Sequence, residues 1–176
     1  MAVFSLGVIV VVVIIAALFQ MEVDYEPLIA EKTVVVQASN VDSFKVVADV
    51  PNFDKWINFI TKVNEMDNSR VGVGKSFEVH VHFPFIGENQ YRLDITNYGP
   101  PKSLSFDADF ELLLPRTIVE IKDGDMLGVS KITWRLYSKR RSYLFCGTVL
   151  PISRFIMTKQ LQGALFRLKL QISHSL

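Results

Sequence analysis

Cysteine is almost missing from this chain: Cys146 is the only one. No intramolecular disulfide can form, and no cysteine-based metal site is possible. Asn-x-Ser/Thr acceptor sites are missing as well. Both absences are more typical of a cytosol-facing domain than of a secreted one. An excess of either charge is also lacking, since 19 Lys and Arg face 18 Asp and Glu. A near-neutral surface offers no electrostatic basis for binding nucleic acid, which is excluded as a partner. No internal repeat and no low-complexity segment breaks the chain.

Charge is entirely absent from the first 21 positions. Ala2 to Met21 reads AVFSLGVIVVVVIIAALFQM, with Ser5 and Gln20 as its only polar residues. About 20 apolar residues are what a helix needs to cross a ~30 Å hydrocarbon core. A cleaved signal would want a basic start and a small-x-small site, and neither is present. A buried strand of that length without alternation would be unusual. The segment therefore reads as a transmembrane anchor over 1–21. Lys and Arg all lie beyond it, which places the domain on the cytosolic side of a single-pass chain. Residues 22–32, with Pro27, read as a tether, and 33–176 as one domain of ordinary size.

The domain begins with β-branched Thr33–Ala38, a strand signal. Ser39 or Asn40 can cap a helix with Val41, Phe44, Val47 and Ala48 on one face. Pro51 stops it. Asn52 can open a second short helix carrying Phe53, Trp56, Ile57 and Ile60. The period then changes to two. Phe77, Val79, Val81 and Phe83 alternate with Glu78, His80 and His82. The same alternation runs through Tyr91–Thr96, Leu104–Phe110, Val119–Ile121 and Lys131–Leu136. Clean alternation predicts an antiparallel sheet with one packed face and one wet face. Gly72–Gly74, Gly87–Asn89, Gly99–Pro101 and Asp123–Asp125 mark the turns. Pro151, well suited to a first helical turn, opens a final helix in which Leu161, Ala164, Leu165, Leu168 and Ile172 recur at three and four.

No catalytic constellation stands out. His80 and His82 share a strand face, but it is the polar one and no third metal ligand has a matching spacing. Asp107, Asp109 and Glu111 put three like charges on one wet face, where solvent or facing Lys and Arg would meet them. Cys146 sits among apolar neighbours with nothing to lower its pKa. Val71–Lys75 is a glycine turn without the following helix that phosphate binding requires. Lys139, Arg140 and Arg141 form a basic cluster best read as a solvated loop. No metal, no cofactor and no catalytic residue is assigned.

Three stretches resemble the START-like superfamily, in its polyketide cyclase/dehydrase and lipid-transport branch. VVVQASNVDSFKVVADVPNFDKWINFITKV (34–63) matches its strand and paired helices, with Phe44, Asp49 and Trp56 at the family's positions. YRLDITNYGPPKSLSF (91–106) resembles its strand, double-Pro turn and next strand. VSKITWRLY (129–137) before a long apolar helix resembles its last strand. The resemblance implies an α+β helix-grip fold, a curved antiparallel sheet wrapped around a long C-terminal helix, here preceded by the transmembrane helix. It also implies an apolar ligand between sheet and helix. Phe77, Tyr91, Phe106 and Trp134 on the sheet, with Phe155, Leu161, Leu165 and Leu168 on the helix, are the candidate ligand-binding residues. The expected function is a membrane-anchored binder or carrier of a lipid- or sterol-like molecule. A cyclase/dehydrase-type enzyme and an interaction domain with a filled core are the alternatives.

Overall fold

The computed structural model describes residues 2–83 and 87–174, with side chains from residue 7 onward. Seven strands form a single sheet: β1 (Leu28–Val36), β2 (Ile60–Glu65), β3 (Ser76–Phe83), β4 (Gly87–Gly99), β5 (Ser103–Ala108), β6 (Pro115–Asp123) and β7 (Ser130–Ser138). Their spatial order is β1-β7-β6-β5-β4-β3-β2, and every pairing is antiparallel. The alternation read from the sequence decides which face is packed. Phe77, Val79, Leu93, Ile95, Phe106, Ile132 and Trp134 are all buried.

Among the described residues there are also three α-helices: α1 (Ala2–Gln20), α2 (Asn40–Val47) and α3 (Tyr143–His174). Ser39 caps α2, its Oγ accepting from Asp42 N at 3.2 Å. A 3-10 turn, Val50–Lys55, follows with Pro51 in its first turn, where a missing N–H costs nothing. Ile60 does not belong to that helical segment. It opens β2 and pairs with Val81. β2 is a sheet edge with little buried surface, so it shows no clear alternation to read.

β1 starts at Leu28, within the stretch expected to be a tether, and Leu28 pairs with Tyr137. The long helix also starts earlier than Pro151, at Tyr143. Ser142 Oγ accepts from Phe145 N at 3.2 Å and provides its cap. Pro151 lies inside α3, on an exposed side, and withholds a hydrogen bond from Gly147, which has open space beside it.

The membrane expectation is corrected. Among the described residues, no helix is long and apolar enough to cross a membrane. Helix α1 has 19 residues, ~28 Å at 1.5 Å each. Its end is also tied directly to the domain. Tyr143 N donates to Met21 O, and Val23 N donates to Arg141 O, each at 2.9 Å. Arg141 adds an ion pair to Glu22 at 3.0 Å. The transmembrane helix of the expected fold and the single-pass membrane localisation fall with it.

The outer face of the sheet carries the charges. Arg135 bridges Glu31 at 3.4 Å and Glu120 at 3.1 Å. Arg116 joins Glu26 at 2.9 Å and Asp107 at 3.0 Å, and Lys139 also meets Asp107. Burial pushes the Asp107 carboxyl up, but these two cations outweigh it and hold it below its ordinary value. The basic cluster is therefore largely engaged, with Arg140 Nε donating to Glu111 O at 2.6 Å.

Among the described residues, Lys75 is the one charged side chain in the interior. Its Nζ donates to Glu65 at 2.9 Å, to the Asp67 carboxylate at 3.1 Å, to Ser69 O at 3.0 Å and to Asp67 O. Four acceptors replace the water that burial removes. Ser69 and then Lys75 hold the Asp67 carboxyl down to about 2. Gly74, at φ 88°, makes the turn that brings Lys75 back beneath this loop.

Candidate functional site

Packing α3 across the concave face of the sheet does not fill the space between them. A cavity of about 130 Å³ remains. The 3-10 turn closes one end with Phe53 and Trp56, which are fully buried. Trp134 meets Trp56 edge to face at 5.2 Å, and Phe53 meets Phe106 at 5.8 Å. The walls are sheet residues such as Val79, Leu93 and Leu136, with Leu161 and Ala164 from α3.

Half-buried aromatics ring the other end. Phe59 stacks on Phe83 at 5.5 Å, Phe83 on Phe110 at 6.0 Å, and Tyr91 leans on Phe110 at 4.9 Å. Pro115 and Met157, also half-buried, complete this mouth. The loop before β6 sets the position of Phe110 and Leu113. Leu114 adopts φ 43°, a left-handed conformation costly for a branched residue. Its N–H donates to Phe110 O at 2.6 Å, and its carbonyl accepts from Lys139 N at 3.1 Å. Such strain persists only where surrounding contacts hold it, and it is common at ligand sites.

Polar groups are few in this lining. Among the described residues, no Lys, Arg, His, Asp or Glu lines the cavity. Tyr91 is the only titratable side chain among the described residues there, and burial together with the Asp109 charge raises its pKa. Trp56 Nε1 is buried without any hydrogen-bond acceptor. Thr117 contributes a buried hydroxyl.

Of the residues singled out from the sequence, Tyr91, Phe106, Trp134 and Leu161 line the cavity. Phe77, Leu165 and Leu168 are buried in the core but outside the lining. Phe155 is on the outside of α3, 66% exposed, beneath Lys159 Nζ at 4.2 Å. Phe53, Phe59, Phe83, Phe110 and Met157 line the cavity without having been singled out as ligand contacts. A run of aromatics flanking Trp56 was the available signal, but nothing local shows which ring faces a void. His80 belongs to an outer-face polar net: its Nε2 lies 3.2–3.3 Å from Glu78, Asn64 and Gln90, and Asn64 donates to Glu78 at 3.0 Å. Among the described residues no cluster of three or more His, Cys, Asp or Glu is placed to hold a metal.

No family model and no curated protein matches the sequence. Solved structures do match the fold. A START superfamily protein from Mycobacterium smegmatis superposes with a TM-score of 0.69 at 11% identity, over 85% of this chain and 99% of that one. Ara h 8.0201 gives 0.63 at 14% identity, over 82% and 96%. The di-domain ARO/CYC StfQ from the steffimycin biosynthetic pathway gives 0.66 at 10% identity, over 85% of this chain and 52% of StfQ. The chain has the START-like helix-grip fold, as the three sequence stretches led one to expect. At these identities the likeness defines the fold and leaves the activity to the site.

Proposed function

We propose that this chain is a non-enzymatic binder or carrier of an apolar small molecule, held between the sheet and α3. The observation that carries the reading is the hydrocarbon-lined cavity of about 130 Å³ with its aromatic mouth. Protein interiors normally close such space, because every void forfeits contacts. A dry apolar void of ~150 Å³ accommodates a benzene-sized molecule. This cavity is below the ~300–1,000 Å³ of common ligand pockets. It suits a compact ring, or the end of a longer molecule whose remainder leaves through the mouth, and is too small for a whole sterol. Tyr91, Phe106, Trp134 and Leu161 are the proposed contacts from the original set, joined by Trp56 and Phe110.

A cyclase-type enzyme is the second reading, and the likeness to an ARO/CYC protein and the presence of Tyr91 favour it. A phenol whose pKa is raised keeps its proton and acts as a donor. General acid-base chemistry usually sets a second positioned group beside such a donor, and the described lining residues include no other titratable side chain. The carrier reading therefore ranks first.

Mass spectrometry of a solvent extract of the purified protein should reveal a stoichiometric apolar compound. Titration with naphthalene should change the emission of Trp56 and Trp134 saturably. A protein that carries nothing and shows no saturable response to any apolar compound would be an interaction domain with a closed core.

A further inference from the structure

Among the described residues that line the cavity, Trp56 Nε1 is the fully buried polar atom left without a partner, and it is a donor. Trp56 is 0% exposed, and its Nε1 finds no acceptor. The other buried unpartnered atoms among the described residues, Asn40 Oδ1, Ser43 Oγ and Gln171 Oε1, belong to residues outside this cavity. An indole N–H is a donor only, and a buried one normally finds an acceptor. Ring faces of Phe53 and Trp134 lie 5.0 and 5.2 Å from the Trp56 ring, centroid to centroid. Aromatic faces are weak acceptors at best, so these contacts compensate only in part.

We infer that the natural ligand, on the binding reading above, is a neutral compact molecule whose carbonyl-type oxygen accepts from Trp56 Nε1. The acceptor follows from the donor left open. Neutrality follows from the lining, whose described residues include no cation to meet a carboxylate or phosphate. Burying an unpaired anion among hydrocarbon would cost far more than one hydrogen bond returns. Compactness follows from the cavity volume of about 130 Å³. The oxygen goes to the closed end, and the apolar remainder lies toward Phe106, Leu161 and the aromatic mouth. This orientation also gives the ligand a direction, which a purely apolar cavity could not.

Three probes of one skeleton test the inference: acetophenone, ethylbenzene and benzoate. Acetophenone should bind the wild-type protein more tightly than ethylbenzene, and benzoate should not bind. In Trp56→Phe the ratio of the acetophenone to ethylbenzene dissociation constants should rise about three- to tenfold, the usual worth of one net hydrogen bond. The ratio cancels any change in cavity size that the substitution brings. The wild type supplies a second readout that needs no folded variant. The indole Nε1–H resonance of Trp56, assigned by its persistence in Trp134→Phe, should move downfield with acetophenone and stay with ethylbenzene. If both neutral probes bind but neither ratio nor resonance responds, the Trp56 assignment is overturned and the carrier reading stands. Benzoate binding as tightly as acetophenone would overturn neutrality. If no probe binds, the carrier reading fails and this inference with it.

Discussion

Along β6 and β7 the two faces of the same strands solve different problems. Val119, Ile121, Ile132 and Trp134 turn toward α3 and are buried at 5% exposure or less. Arg116, Glu120, Lys131 and Arg135 alternate with them and face outward. The inner face gains from removing hydrocarbon from water, which needs no directional partner and is not screened. The outer face gains from ion pairs between half-exposed groups, which water and salt weaken. Stability should thus rest on the concave face, and within it on the closed end rather than on the walls around the void.

The largest expected effect is at that closed end. Phe53→Ala should cost about 3–5 kcal/mol in urea unfolding, because a fully buried ring packed against Trp56 and Phe106 cannot be replaced by relaxation. A cost under ~1 kcal/mol would mean the closed end is loosely packed, and the contrast with the outer face would fail. Leu93→Ala removes a wall residue that already borders the void. It should cost about 2 kcal/mol, the low end for this change, since fewer contacts are lost. Equal costs at Phe53 and Leu93 would argue that the cavity is closed in solution.

The outer face should respond more weakly. Asp107→Asn should cost about 1 kcal/mol, discounted because Arg116 is more than a third exposed. The pH dependence has a definite sign. A carboxyl held below its ordinary value contributes stability above the unfolded pKa of ~3.9, and loses it as pH falls through the folded one. The difference in urea midpoint between wild type and Asp107→Asn should therefore shrink below about pH 4. A difference that persists there would point to shape rather than charge.

Asp67 gives a local version of the same test. Its carboxyl, held at about 2, should keep its ties to Ser69 and Lys75 well below pH 4, the unfolded range. An NMR titration of the Asp67 carboxyl should show its midpoint near that value. Smallest of all is His80→Ala on the polar net of β3, which should change stability by less than about 0.5 kcal/mol.

Most of the sheet was legible in the residues because period-two alternation is a local signal that solvent imposes on every half-buried strand. β3, β4, β5 and β7 were readable in this way, as was the Ser39 cap. β2 was not, since an edge strand with Lys62 and Asn64 facing out keeps too few buried positions. The start of α3 was obscured by Pro151, whose preference for a first turn is real but does not forbid an interior position on an exposed side. The N-terminal run was misjudged for a different reason. Its composition resembles that of a span, whereas helix length and the ties from Met21 and Val23 to the start of α3 depend on the fold.

The residues by themselves determined the packed face of the sheet and the apolar stripe of the helix that covers it. These follow from periodicity, which each segment carries on its own. Only the tertiary structure decided that sheet and helix stand far enough apart to leave a cavity. It alone separated Tyr91, Phe106, Trp134 and Leu161, which border that space, from Phe77, Leu165 and Leu168, which do not. It alone left Trp56 Nε1 without an acceptor. A void, and a donor stranded beside it, are properties of surfaces contributed by residues far apart in the chain, and no local pattern encodes the distance between them.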